Sequence, residues 1–149
     1  MENIEIFKGI IDGSLTSITI PEGVEDITKY AMQYFENNFT ELNVPSTVKN
    51  IDSSAFFYCS RLASINLSEG LIRIGVSAFD YTAITRLVVP DSVIYFGQDE
   101  GTVGTGLGGS PVGGCNDLAE IVIGKNVVGF SMKCFTQSSL VKCTFRVGK

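Results

Sequence analysis

The residue pattern most suggestive of chemistry is a glycine-rich run, Gly104-Thr105-Gly106-Leu107-Gly108-Gly109, which has the spacing GxGxxG. In dinucleotide-binding proteins this spacing brings backbone N–H groups close to a pyrophosphate at the start of a helix. Such a site also needs a preceding strand, a following helix and an acidic residue about 20 positions further on. Pro111 is unfavourable for that helix, and no Gly-Lys-Ser/Thr follows for a P-loop. We therefore interpret the run as a flexible surface loop. If the loop has a function, we expect it to become ordered when a partner binds.

Side chains for acid–base or nucleophilic catalysis are scarce. The chain has no histidine, which excludes a histidine general base, a Ser-His-Asp or Cys-His arrangement and histidine-ligated zinc. The acidic pairs Glu25-Asp26 and Asp99-Glu100 are adjacent in sequence, so their side chains are expected to point apart on turns or loops. No nucleophile has an evident base beside it. The sequence therefore predicts a protein that is not an enzyme and has no cofactor or metal site.

The four cysteines are Cys59, Cys115, Cys134 and Cys143. They lack the C-x-x-C spacing that is typical of metal sites. In the repeat described below, each cysteine falls at a position that faces the core, where cysteine behaves as a small hydrophobic residue. We predict buried free thiols rather than disulfides.

Length and charge narrow the class of protein further. The chain has 149 residues, of which 44% are hydrophobic and 18% charged, so we expect one domain with a substantial core. Its net charge of −5 argues against a nucleic-acid partner or an anionic membrane surface. The N-terminal sequence MENIEIFKGI lacks the apolar run of a secretory signal, and no stretch is apolar enough for a membrane span. We expect a cytoplasmic or virion protein if the chain is complete, and a cell-surface protein if it is a fragment.

The elements that would position any site recur along the chain. A pattern of apolar-x-x-apolar-x-apolar-Pro-x-x-Val-x-x-Ile is clearest in residues 15–27 and 39–51. A small-large pair and a small slot follow it, as in Ala55-Phe56 and Cys59. A period in the low twenties indicates a solenoid, because each coil has an apolar face that only its neighbours can bury. The first apolar anchor returns at intervals of 24, 23, 22, 34 and 22 residues, at Leu15, Phe39, Leu62, Ile84, Leu118 and Leu140.

These repeated residues resemble the BspA-like class of leucine-rich repeats over about residues 15–145. The resemblance implies a leucine-rich-repeat solenoid of about six coils, with a parallel β-sheet of short strands on one face and irregular or short helical turns on the other. We expect a single leucine-rich-repeat domain over residues 1–149, with an N-terminal cap at 1–14 and repeats at 15–145. The long interval between repeats is assigned to a glycine-rich insertion loop at 97–110.

The outward-facing strand positions form the first candidate binding surface. Their side chains are mostly short and polar or β-branched, as in a solvated face of a parallel sheet. Two interpretations stay open: a soluble face without a partner, or a docking platform of the kind that solenoids offer. The candidate contact residues are Glu41, Asn43, Asn66, Arg86, Val88, Glu120 and Val122.

Aromatic residues behind the small-large pairs form the second candidate surface, comprising Tyr34, Phe57, Tyr58 and Tyr81. Stacked tyrosines either seal the edge of the core or form a sticky stripe, and we favour sealing. Phe57 is the large apolar side chain that we most expect to be exposed, because its position is polar in the neighbouring repeats.

The resemblance carries little information about function, since members of that class are binding modules with diverse targets. It implies a non-enzymatic protein-binding module in adhesin-like or virion-associated recognition. One alternative is an intracellular inhibitor, such as a phage-encoded one, that binds a host protein through an acidic platform. A second alternative is a glycan-binding module. We expect a monomer or an end-to-end homodimer, because the last strand has an open edge.

Overall fold

The computed structural model describes residues 14–34, 39–98, 108–130 and 139–148. The strands in these ranges form two columns, and all of their pairings are parallel. The predicted solenoid with a parallel sheet of short strands is therefore confirmed. The first column contains β1 (Ser17–Thr19), β3 (Glu41–Val44), β5 (Ser64–Leu67), β7 (Arg86–Val88), β9 (Glu120–Ile123) and β11 (Lys142–Phe145). The second column contains β2 (Asp26–Ile27), β4 (Asn50–Ile51), β6 (Arg73–Ile74), β8 (Tyr95–Phe96) and β10 (Gly129–Phe130).

The return segments between coils are turns rather than helices. The sequence allowed short helical turns there, but none of the described segments is helical. The reason lies in the hydrogen bonds, because many backbone N–H groups of these segments donate to the next coil. Met32 N donates to Ala55 O at 2.7 Å, and Phe56 N donates to Ala78 O at 2.8 Å. An N–H group that is used between coils is no longer available for the i→i−4 bond of a helix.

A single hydrophobic core runs along the solenoid, filled from both columns and from the return segments. The first column contributes alternate residues, as the period of two predicts. In the return segments, Phe56 and Phe79 are fully buried and their rings stack at a centroid distance of 5.5 Å. Stacking of identical positions between coils joins the repeats into one cooperative core. The buried first-column residues include Ile18, Leu42, Ile65, Leu87 and Ile121.

The predicted insertion enters and leaves the solenoid at one point. Residues 99–107 lie outside the described ranges, as does most of the predicted cap and of the GxGxxG run. Gly109 N donates to Gly97 O at 3.0 Å, and a Cβ on Gly97 would overlap Gly109 O, so this position requires glycine. Phe79 N then donates to Pro111 O at 2.8 Å. This bond places Pro111 in the register of Ala55 in the earlier coil.

In the three coils whose small slot is described, the side chain at this slot (position 59, 82 or 115) donates to a backbone carbonyl. Cys59 Sγ donates to Met32 O, and Cys115 Sγ donates to Phe79 O, both at 3.1 Å. Both cysteines are buried and neither forms a disulfide, as predicted, whereas Cys143 is partly exposed. Burial raises the pKa of the Cys115 thiol, so it stays protonated and able to donate. Cys134 lies outside the described residues.

Replacing Phe79 by alanine is expected to lower the free energy of unfolding by about 3–5 kcal/mol, because it leaves a cavity against Phe56. Urea unfolding followed by circular dichroism measures the change. Val141→Ala is the control, since that side chain is 84% exposed, and it should cost less than about 0.5 kcal/mol. Equal losses for the two variants would contradict the stacked core.

The hydrogen bond of the slot is tested by replacing Cys59 with threonine or valine, which have similar volumes. Thr82 occupies the same slot one coil later, where its hydroxyl donates at 3.0 Å to Phe79 O of its own coil, so a hydroxyl fits the slot and reaches a carbonyl there. Cys59→Thr should therefore be tolerated, while Cys59→Val should cost about 1–3 kcal/mol more, because it removes the donor to buried Met32 O. Thermal and urea unfolding of both variants give this difference. Equal stability of the two would show that the bond contributes nothing.

A groove in the strand face as the candidate binding site

The pairing register brings the predicted contact residues onto one surface, which we call the strand face. It comprises the outward side chains of the first column. Glu41 lies opposite Ser64, Asn43 opposite Asn66, and Arg86 opposite Glu120. The seven residues proposed from the sequence thus form two adjacent rows of side chains on the first strand column, rather than a scattered set. The strand face divides into a hydrogen-bonded half on β1, β3 and β5 and an ion-paired half on β7, β9 and β11.

Polar side chains of the first half form a ladder along the solenoid. Asn66 Nδ2 donates to Asn43 Oδ1 at 2.7 Å, and Asn43 Nδ2 donates to Glu41 Oε1 at 3.0 Å. Ser17 Oγ donates to the same Glu41 oxygen at 3.1 Å. The ladder stops at Asn66, because the next residue of its column, Val88, has no polar group.

The second half is organised by one carboxylate between two cations. Arg86 Nε lies 2.9 Å from Glu120 Oε2, and Lys142 Nζ lies 3.2 Å from Glu120 Oε1. The hydrogen bonds from Arg86 and then Lys142 lower the pKa of the Glu120 carboxyl. Val122 was expected to face solvent beside this group, but it is only 7% exposed. Its short side chain lies between Val88 and Thr144 in the pairing register, so neighbours on both sides shield it.

The first column is interrupted between β5 and β7. It consists of two three-stranded sheets, whereas the second column is one continuous five-stranded sheet. Between Leu62 and Ile72, no backbone–backbone hydrogen bond joins this coil to the next, although both coils are fully described here. We call this interruption the split. It was not expected from the sequence, which predicted one uninterrupted stack of strands.

The missing hydrogen bonds can be named by comparison with the other junctions. At the split, the equivalent donor and acceptor are Arg86 N and Ala63 O, and they are not bonded. Likewise Val89 N donates to Val122 O at 2.8 Å, while the equivalent Leu67 N and Val88 O are not bonded. The bonds present elsewhere are Glu41 N to Thr16 O, Ser64 N to Thr40 O, Glu120 N to Thr85 O and Lys142 N to Ala119 O, at 3.0–3.3 Å.

A groove of about 360 Å³ occupies the split and opens onto the strand face. It contains three of the predicted contact residues, and its walls are mainly polar. Arg86 Nε is already engaged by Glu120, so the groove presents amide, hydroxyl and backbone groups rather than an unpaired charge. The lining residues are Ala63, Ser64, Ile65, Asn66, Leu67, Thr85, Arg86 and Val88.

Two sequence changes coincide with the split and are the signals that sequence reasoning could have used. The corner before β7 is short, because one residue separates Thr82 from Ile84, whereas two separate Cys59 from Leu62. Ala83 N accordingly donates to Leu62 O at 2.8 Å, a bond particular to this corner among the described junctions. The ladder column also changes from asparagine to valine at this junction.

The aromatic residues form a compact surface cluster away from the groove. Tyr58 contacts Tyr34 and Tyr81 at ring-centroid distances of 5.8 and 5.1 Å. Phe57, which was expected to be exposed, is half-buried, because edge-on tyrosine rings cover it. The three tyrosines are 39–59% exposed and adopt positive φ, a conformation that favours glycine. Gly114 takes this conformation in the next coil, where the stripe ends.

Comparison with known proteins agrees with this architecture. A family model described as a BspA type leucine-rich repeat region matches residues 3–100 in six copies. The chain belongs to the BspA-type leucine-rich repeat family. In the part of this BspA-type repeat that the structure describes, no helix is long and apolar enough to cross a membrane.

Solved structures extend the similarity beyond the matched residues. The BspA-type chain is 26% identical to a leucine-rich repeat protein from Bacteroides ovatus, with a TM-score of 0.57 over 88% of this chain and 37% of that one. It is 20% identical to a leucine-rich repeat protein of T. pallidum, with a TM-score of 0.52 over 87% and 69% of the two chains. It thus spans about 37% of the length of the B. ovatus protein. A search of curated proteins gave no significant match.

Removing the Arg86 guanidinium should raise the pKa of the Glu120 carboxyl toward its ordinary range. Pairing stabilises the ionised carboxylate, so the ion pairs exist above its pKa and are lost as the pH falls through it. In Arg86→Met this loss should therefore begin at a higher pH, as measured by carbon-detected NMR titration of Glu120. Arg146→Met, which removes the partner of Asp91 instead, is the control. A titration of Glu120 that is the same in both variants would contradict the pairing.

Proposed function

We propose that this chain is a non-enzymatic module that binds a protein through the strand face, with the groove at the centre of the contact. The observation that supports this most is the split, which leaves backbone donors and acceptors open at the middle of an otherwise satisfied surface. Repeat solenoids offer extended surfaces of this kind to partners. Strand edges with unpaired backbone groups are ready sites for another chain.

The charge of the strand face favours a partner surface without a strong net charge. The negative charges of Glu41 and Glu120 are balanced by the positive charges of Arg86 and Lys142. Both cations form ion pairs with Glu120. Such matched charges contribute more to orientation and specificity than to affinity. We therefore rank the acidic-platform inhibitor below a module for adhesin-like or virion-associated recognition. The glycan-binding alternative ranks last, because the lining of the groove contains no aromatic side chain on which a sugar ring could stack.

The proposal predicts that changing the strand face abolishes binding while an equal change elsewhere does not. The test variant is Glu41→Gln/Arg86→Gln/Glu120→Gln. The matched control is Glu22→Gln/Glu25→Gln/Lys29→Gln, which alters the net charge equally at exposed positions off this face. Crosslinked partners are captured from a lysate of the source organism, identified by mass spectrometry and purified for titration calorimetry.

For a partner of the strand face, the test variant should weaken binding at least tenfold, and the control should bind as the unchanged protein does. Circular dichroism verifies that both variants are folded. Undiminished binding by the test variant, or equal loss in both, would refute the strand face as the contact surface.

A further inference from the structure

We infer that the split opens into an additional strand position, and that an extended peptide segment of the partner enters it and pairs with β5 and β7. This inference deepens the proposed function and rests on it. It commits to one mode of recognition, β-strand addition, in which main-chain hydrogen bonds provide affinity and alternate side chains provide specificity.

The two walls of the groove offer the backbone pattern that a strand requires. In the paired coils, alternate residues direct both N–H and C=O toward the next strand or the previous one. By this alternation, Ile65 and Leu67 on one wall face Arg86 and Val88 on the other. No backbone bond connects these walls, so their donors and acceptors are available to a segment between them.

The side chains of the walls define the chemistry of the segment. Ile65 and Leu87 belong to the core, so a strand between them should place apolar side chains inward. Asn66 and Ser64 are exposed beside its outward positions, which should therefore be small and polar. The only charge on the lining, Arg86, is engaged by Glu120. We therefore expect an uncharged segment in which polar and apolar residues alternate.

Widening the groove does not separate the two coils, because they are also joined through the second column. A full additional strand needs about twice the usual spacing of 4.8 Å. In the second column Ile94 N donates to Ile72 O at 2.9 Å, and β6 pairs with β8, so the coils stay joined when the first column opens. At the end of the groove that follows Leu67, Asp91 N and Ser92 N donate to the exposed Glu69 carboxylate. Ser92 Oγ also donates to Leu71 O at 2.7 Å, so this end keeps a link when the Glu69 bonds open.

The length of the segment follows from the ends of the groove. One end is closed by the Ala83 N to Leu62 O bond, and the other lies at the Glu69 carboxylate. Between them, β5 has four residues, so the segment that pairs should also be about four residues long.

The test uses a reversible clamp across the split together with a defined probe. The clamp is the double variant Asn66→Cys/Val88→Cys, whose two positions are equivalent in adjacent strands, so that a disulfide holds the groove closed. The matched control is Asp26→Cys/Asn50→Cys, which bridges the directly paired strands β2 and β4 away from the strand face and leaves the split open. Mass spectrometry verifies each crosslink, and circular dichroism verifies the fold.

The probe is the capped peptide LASINLS, which has the uncharged alternating sequence of residues 62–68. NMR titration should give saturable binding at micromolar to millimolar peptide, with shifts at the amides of Ile65, Leu67, Arg86 and Val88. Oxidising the clamp should weaken binding at least tenfold and reduction should restore it, while the control disulfide has no effect. N-methylation of alternate peptide amides should also abolish binding, because it removes main-chain donors.

Two results would overturn strand addition. One is the lack of saturable binding at millimolar peptide, and the other is binding that neither the clamp nor N-methylation weakens. Both leave the proposed function testable, because loss of the captured partner in the triple strand-face variant is measured independently. Conversely, a clamp-sensitive peptide together with a partner that is indifferent to the strand face would refute the proposed function alone.

Discussion

Each coil of this solenoid depends on its neighbours for two things that it cannot supply itself, burial of its apolar face and partners for its backbone. Strands of two to four residues are too short to be stable alone. Their N–H and C=O groups must bond between coils, since a buried backbone group without a partner is costly. This demand accounts for the parallel columns, and it also accounts for the turns of the return segments, whose N–H groups are used by the next coil.

At one junction the coils share a buried core but lack backbone pairing in the first column, and the candidate site lies there. Between β5 and β7 burial continues, because Ile65 and Leu87 remain in the shared core. The second column also continues without interruption. Backbone pairing is nevertheless absent from the first column at this point. The fold tolerates the absence because the groove is open to solvent, where water can satisfy the polar groups that a buried gap would leave unpartnered.

The side chains of the strand face follow the same division. The asparagine ladder ends on one side of the split, and the charged group around Glu120 begins on the other. The side-chain bonds of each half lie within that half, and among the described strand residues none crosses from β5 to β7. Under the proposed function, a partner therefore gains most at the middle of the surface, where the backbone groups of β5 and β7 are not bonded to each other.

The repeat period, the core positions and the hydrogen-bonding slot of Cys59 were determined by the sequence alone. They follow from the alternation and spacing of residue types within each coil, which are one-dimensional properties. The split, the burial of Val122 and the covering of Phe57 were decided only by the tertiary structure. Each depends on which residues of the adjacent coil lie beside it. A corner that is shorter by one residue changes those neighbours without changing the repeat pattern of apolar residues. The surface that a partner would meet is therefore a property of how the coils stack.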